Sequence, residues 1–146
     1  MRAVIQRVQN AQVHVDGKEV GSCGKGLVIL LGVAPEDTDS QVTWLVDKIS
    51  GLRIFADDDG KMNDSMLDQR LSALVVSQFT LYGDTRRGRR PGFSRAAPPA
   101  IAEPLYERFC EVLAAKGVAV GRGVFGADMA VSLVNDGPVT LILDTP

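Results

Sequence analysis

The run Leu27–Val33 is apolar from end to end and follows the turn Gly24-Lys25-Gly26. A short apolar run without alternation, bracketed by glycines, reads as a central strand buried on both faces. Both of its faces must therefore be covered by the rest of a 146-residue chain. Neighbouring strands are close at hand. Arg2–Val8 and Ala11–Val15 alternate with period two, and Asp16-Gly17 is a hairpin turn into Lys18–Cys23, because both turn residues tolerate positive φ.

The covering layer is helical. Thr38-Asp39-Ser40-Gln41 has the pattern of a capping box, and Val42, Leu45, Val46 and Ile49 follow at helical spacing until Gly51. Pro98-Pro99 opens a second helix, in which Ile101, Leu105, Phe109 and Leu113 recur every four residues beside Val112, with Gly117 as the stop. Between and after the helices, Leu52–Ala56, Leu71–Phe79, Val118–Phe125, Met129–Asn135 and Val139–Asp144 read as strands. The order is strands, helix, strands, helix, strands, with no repeat or linker. It predicts one α+β domain over residues 1–146: a strongly curved, mostly antiparallel sheet or open barrel covered by two main helices.

Several chemistries find no support in the residues. Cys23 and Cys110 have no metal-ligand spacing and read as small buried or half-buried residues. His14, the one histidine, sits in the alternating stretch Gln12-Val13-His14-Val15 and reads as the polar face of a strand. Asp57-Asp58-Asp59-Gly60 lacks the alternating oxygens and distal glutamate of a calcium loop and reads as a solvated hairpin turn. There is no phosphate loop, no zinc set and no plausible Ser/His/Asp triad, so no cofactor or metal is expected. No stretch has signal-peptide or membrane-span character, and a soluble cytoplasmic protein is expected.

Charge is unevenly placed. The formal net charge is −2, yet Arg86, Arg87, Arg89, Arg90 and Arg95 fall in a Gly/Arg/Pro loop with no acid among residues 86–95. A local cationic loop on an acidic protein suits a chosen anionic partner. It lies next to Ser77-Gln78-Phe79-Thr80-Leu81-Tyr82-Gly83-Asp84, where hydroxyl, amide and aromatic groups gather as a buried strand opens. Such a segment is either a polar strand terminus or a site whose freed backbone N–H groups face a developing oxyanion. Asn135-Asp136-Gly137-Pro138-Val139-Thr140 reads first as a turn between two strands.

At these two segments the chain resembles the D-aminoacyl-tRNA deacylase (D-tyrosyl-tRNA deacylase) family. The motifs are Ser77-Gln78-Phe79-Thr80-Leu81 and Asn135-Asp136-Gly137-Pro138-Val139-Thr140. Right-order support comes from Gln6-Arg7-Val8, Gly26–Val33, Gly60-Lys61-Met62-Asn63, Gly88-Arg89-Arg90-Pro91 and Phe125-Gly126-Ala127-Asp128-Met129, so the match covers essentially the whole chain. Asp64-Ser65 and Gly92-Phe93 depart from the family pattern without touching either signature motif.

The resemblance implies a homodimer that hydrolyses the ester of D-aminoacyl-tRNA, and of mischarged glycyl-tRNA, since glycine has no side chain to reject. It implies that Gly137-Pro138 of one subunit, joined by a cis peptide, reaches into the other's pocket and excludes L-aminoacyl groups. Ser77, Gln78, Phe79 and Thr80 are then the catalytic segment, with backbone N–H groups near Phe79 and Thr80 as oxyanion donors. Thr80 is either a nucleophile or a positioning group beside a ribose 2′-hydroxyl. The second account is preferred, because the sequence offers no base. Arg7, Asn135, Val139 and Thr140 support the inserted turn, Phe125 and Met129 line an adenosine pocket or pack in the core, and Arg86, Arg87, Arg89 and Arg90 meet tRNA phosphates. The rival reading is a non-catalytic RNA-binding module that uses the Arg86–Arg95 loop.

Overall fold

The computed structural model describes all 146 residues. Its spine is β1 (Arg2–Val15). One edge of β1 pairs antiparallel with β3 (Gly26–Gly32) along Arg2–Val8, then with β2 (Lys18–Cys23) along Ala11–Val15. The other edge carries β8 (Ala130–Asp144), also antiparallel. From β3 the sheet continues in parallel through β6 (Ser72–Ser77) to β7 (Ala119–Arg122). Parallel neighbours need crossovers, and these hold α1 (Asp39–Gly51) and α2 (Pro99–Ala115). A small hairpin, β4 (Phe55–Ala56) with β5 (Met62–Asp64), lies outside the main sheet. The expected α+β barrel-like sheet with two helices is therefore present, with mixed strand directions.

The sheet curls until β2 approaches β7, although no ladder joins them. Glycine makes this approach possible. A Cβ at Gly21 would fall on the Arg122 carbonyl, and one at Gly121 on the Ser22 carbonyl.

Burial follows the strand pleat. Leu27, Ile29, Leu31, Ala73 and Val75 face the helices and join Leu45, Ile49, Phe109 and Leu113 in the main core. Val28, Leu74 and Val76 turn the other way, inside the curl, and join Val8, Ala11 and Val13. Each fully buried aliphatic side chain contributes roughly 1.5–3 kcal/mol over its exposed state. The run Leu27–Val33 is thus continuous because β3 is covered on both faces. Along β1 the buried positions shift from Ala3 and Ile5 to Val8, Ala11 and Val13, and the strand passes from one core to the other.

The helix starts are local. Thr38 N–H donates to Gln41 Oε1 (2.9 Å), and Thr38 Oγ1 accepts from Ser40 N–H (3.4 Å), closing the capping box. In α2 the expected face holds at Phe109 and Leu113 but is rotated by one residue in the first half. Ala102, Tyr106, Phe109, Cys110 and Leu113 are buried, while Ile101 is exposed and Leu105 and Val112 sit on the flank. A four-residue period drifts around a helix of 3.6 residues per turn, and Ala102 lines the cavity.

Other boundaries differ as well. Arg2–Val15 is one strand instead of two, and β6 ends at Ser77, where Phe79–Tyr82 forms a 3₁₀ turn. The strand expected over 118–125 is shorter, and that over 52–56 shrinks to Phe55–Ala56, paired with β5, which the sequence reading missed. The solvated turn at 57–60 is present, with Asp57 Oδ1 accepting from Asp59 and Lys61 N–H (2.9 Å each). Cys110 is buried, Cys23 is half-buried and both are free, as expected. No helix is long and apolar enough to cross a membrane.

The largest correction concerns residues 135–140. They do not divide the chain into two strands. β8 runs straight through them, because β1 templates it on both sides. Gln6 faces Thr140 and Val8 faces Asn135, so Asp136, Gly137, Pro138 and Val139 stand opposite the single residue Arg7 and bulge from the ladder.

Candidate active site

A cavity of about 420 Å³ opens where β6 ends. Gln78 N–H still donates to Leu31 carbonyl (2.8 Å), extending the ladder by one residue. The chain then tightens into the 3₁₀ turn Phe79–Tyr82. This turn packs closely on β3, where a Cβ at Gly32 would lie 3.2 Å from Gln78 O, Leu81 Cβ and Tyr82 Cε2. The first N–H groups of a helical turn have no acceptor within that turn. Phe79 and Thr80 open this turn, and Phe79 lines the cavity.

Ser77, Gln78 and Phe79 line one wall, and Pro98, Ala102 and Tyr106 of α2 and its approach line another, with Phe125. Phe79 and Phe93 meet edge to face, ring centres 5.2 Å apart, although they are 56% and 40% exposed. Two aromatic rings held open to solvent at a cavity mouth offer a surface on which a flat ligand can lie. Tyr106 is buried and donates to the Val75 carbonyl (2.9 Å). Burial, then the neighbouring Cys110, raise its phenol above the ordinary range, and burial lifts the Cys110 thiol to about 11. Both stay protonated at neutral pH and take no part as bases. No carboxylate, imidazole or amine lines the cavity.

Thr80 is exposed just past Phe79 and outside the lining, and its Oγ1 accepts from Gln78 Nε2. That bond fixes the hydroxyl without activating it. Of the proposed pocket pair, only Phe125 lines the cavity. Met129 packs on the inner core beside Gly123.

The Asp136–Val139 bulge forms a second constellation. The Gly137-Pro138 peptide is cis, and Gly137 has φ +120°. Arg7 grips the bulge: its Nε donates to the Asp136 carbonyl (3.1 Å) and lies 3.5 Å from Asp136 Oδ2, and its Nη1 donates to the Ile54 carbonyl (2.6 Å). Asn135 Nδ2 donates to the carbonyls of Arg7 (2.9 Å) and Val139 (3.2 Å), bridging the base of the bulge. Val139 packs on the main core, and Thr140 Oγ1 accepts from Gln6 Nε2 (3.2 Å). Gly137 and Pro138 are themselves exposed, and neither lines the cavity of its own chain.

The arginine loop is closed by Asp84, whose backbone exchanges two hydrogen bonds with Gly92 (2.7 and 3.0 Å). Asp84 also accepts from Arg86 Nε (2.9 Å) and Nη2 (2.6 Å). These bonds hold the Asp84 carboxyl well below the usual carboxylate range. Arg86 is thereby engaged within the loop, whereas Arg87, Arg89 and Arg90 are exposed and make no ion pair.

Sequence reasoning missed Tyr106, Phe93, Pro98 and Ala102 as cavity residues. Tyr106 alone had a usable signal, since it lies four residues after Ala102 and three before Phe109 on one helix face. The others reach the cavity only through tertiary packing.

The cavity thus joins a strand end to an aromatic mouth, and its lining carries no carboxylate, imidazole or amine. The model of the D-Tyr-tRNA(Tyr) deacylase family matches residues 4–144, and the chain belongs to that family of hydrolases. It is 61% identical over 145 residues to the D-aminoacyl-tRNA deacylase of Roseiflexus castenholzii, covering 99% of this chain and 92% of that one. It is 60% identical to the D-aminoacyl-tRNA deacylase of Desulfatibacillum aliphaticivorans, covering 99% of both. A solved structure, that of the c-Myc DNA Unwinding Element Binding Protein, superposes with TM-score 0.93 at 41% identity, over 100% of this chain and 99% of that one.

Proposed function

We propose that this chain hydrolyses the ester between a D-amino acid and the terminal ribose of tRNA in the cytoplasm, releasing free D-amino acid and tRNA. The observation that carries the proposal is the separation of two built constellations. The cavity at Ser77–Phe79 has donors and aromatic walls, while the clamped Gly137-Pro138 turn is exposed and lies outside that cavity. A second copy of the chain brings the turn of one subunit to the cavity of the other. β8 favours such pairing: only β1 occupies one of its edges, and Val134, Leu141 and Ile142 are 45%, 38% and 69% exposed. Long apolar edge strands are otherwise a liability in a soluble chain.

In this reading water attacks the ester carbonyl, and the N–H groups of Phe79 and Thr80 hold the resulting oxyanion. The bond to the ribose oxygen then breaks, and that oxygen takes the proton. The cavity lining carries no base, so the ribose 2′-hydroxyl assists the water, and Gln78 and Thr80 orient it. The backbone of Gly137-Pro138 occupies the space an L side chain needs. Rejection by backbone is indifferent to side-chain type, and glycyl-tRNA is a substrate because it presents nothing to reject. Arg87, Arg89 and Arg90 hold acceptor-stem phosphates, which position tRNA without reading its sequence.

The test is to incubate the protein with matched D- and L-aminoacyl-tRNAs and follow loss of the ester. Hydrolysis of the D-ester with sparing of the L-ester is expected. Equal rates on both, or none on either, would overturn the proposal.

A further inference from the structure

Arg7 grips the Gly137 turn with one end of its guanidinium and is gripped at the other by a single main-chain oxygen, that of Ile54 (2.6 Å). That oxygen belongs to the approach to β4, in a hairpin whose ladder holds only the pairs Phe55–Asp64 and Ala56–Met62, with a register shift between them. A two-stranded ladder this short has little stability of its own.

Side chains hold it in place. Arg53 Nε donates to the Asn63 carbonyl (3.0 Å), and Arg53 Nη2 donates to Asn63 Oδ1. Gln69 Nε2 spans both strands, donating to the Ala56 carbonyl (2.6 Å) and to Asp64 Oδ2 (3.0 Å). On its inner side, Ile54 is 7% exposed and sits in the main core. The Ile54 carbonyl is therefore fixed from inside by packing and from outside by two side-chain staples, and it points at Arg7.

We propose that the hairpin Phe55–Asp64, stapled by Asn63 and Gln69, is a positioning element for substrate selection: it holds Arg7, and through Arg7 the backbone of Gly137. This rests on the reading of Gly137-Pro138 as the selecting turn. Asn63 and Gln69 touch no substrate. Their effect arises because a selecting backbone displaced by a fraction of an ångström no longer excludes the L side chain. Misplacement on the order of 1 Å costs roughly a hundredfold in well-oriented reactions. A smaller drift, with a roughly tenfold narrowing of the D-over-L ratio, is expected when both staples are removed.

The experiment compares wild type with Asn63→Ala, Asn63→Asp and the pair Asn63→Ala/Gln69→Ala in the full-length protein. D- and L-aminoacyl-tRNA hydrolysis and exchange of the Arg7 Nε–H proton by NMR are read together. The paired variant should narrow the D-over-L ratio, mainly through faster hydrolysis of the L-ester, and should speed exchange at Arg7. Asn63→Asp keeps the acceptor for Arg53 and should restore both readouts relative to Asn63→Ala. Should the paired variant keep the wild-type ratio and Arg7 exchange, or should Asn63→Asp behave like Asn63→Ala, the hairpin has no positioning role and the functional reading stands. A wild-type protein that does not prefer D-esters removes the functional reading, and this inference with it.

Discussion

Two segments leave the β ladder in this molecule, and they are built by opposite means. The strand end at Gln78–Tyr82 is seated on β3 by close apolar and backbone packing, with Gly32 beneath it and Phe79 against Phe93. The bulge at Asp136–Val139 has Val139 in the core, but its tip is held by polar side chains, chiefly Arg7 and Asn135. Packing fixes a surface; charged hydrogen bonds fix a direction. Under the proposed function, the first would hold the reacting group and the second would discriminate handedness.

The strongest way to break this comparison is Arg7→Ala. It leaves the carbonyls of Asp136 and Ile54 without their donor, and each such loss costs about 1–3 kcal/mol when the group is buried. D-ester hydrolysis should fall by roughly a hundredfold if the turn loses its direction, while circular dichroism stays native. Gly137→Ala should come next, at roughly tenfold or more. Its Cβ would lie 2.5 Å from Arg7 Nη2, at a φ of +120° that L side chains rarely adopt. A Gly137→Ala protein with wild-type D- and L-ester rates would make the bulge an ordinary surface feature.

Weaker effects sharpen the contrast. Arg89→Ala/Arg90→Ala should weaken tRNA binding and make the plot of log affinity against log salt shallower by about 1.4–1.8, one phosphate contact for each arginine. An unchanged slope would leave these residues as solvated charges. Thr80→Ala should retain measurable hydrolysis, reduced only severalfold, on the order of 1 kcal/mol for a lost positioning hydrogen bond; trapping an acyl group on Thr80 would overturn that assignment.

The smallest effect is spectroscopic. Tyr82 is pushed up to about 12, first by burial and then by the charge of Asp37, and Tyr106 is raised further by burial. A phenol raised in the folded state contributes stability below its unfolded value of about 10, and that stability is lost as pH rises through the folded value. Neither tyrosine should form phenolate near pH 10 while the chain is folded. An absorbance change there would show that the packing at one of these rings is loose.

Much of the fold was legible because it is periodic. The capping box at Thr38 and the apolar face from Val42 to Ile49 sit in adjacent residues, as does the unbroken run that makes β3 central. What escaped depends on distant partners. Gly137-Pro138 carries every local mark of a turn, but β1 holds β8 in register on both sides and forces the surplus outward. In the first half of α2 the expected face was off by one, with Ala102 buried and Ile101 exposed, whereas Phe109 and Leu113 are buried as expected. At the site, Ser77 to Thr80 could be recognised as a polar cluster at a strand end, yet the cavity floor comes from α2, about twenty-five residues later in the chain. Met129 shows the same limit: no local signal distinguishes a residue bound for the inner core from one bound for the cavity.

The glycine pair at Gly21 and Gly121 has a mechanical consequence. Elsewhere the barrel wall is laced by N–H to carbonyl bonds, which tolerate any side chain that points away. At this one joint the wall closes by fit alone, bare α-carbon against bare carbonyl, with no directional bond to keep it shut. Such a joint resists crushing but not parting. The hoop can therefore spring at this seam without breaking a single ladder bond, and amide hydrogens flanking it on β2 and β7 should exchange sooner than those of β3.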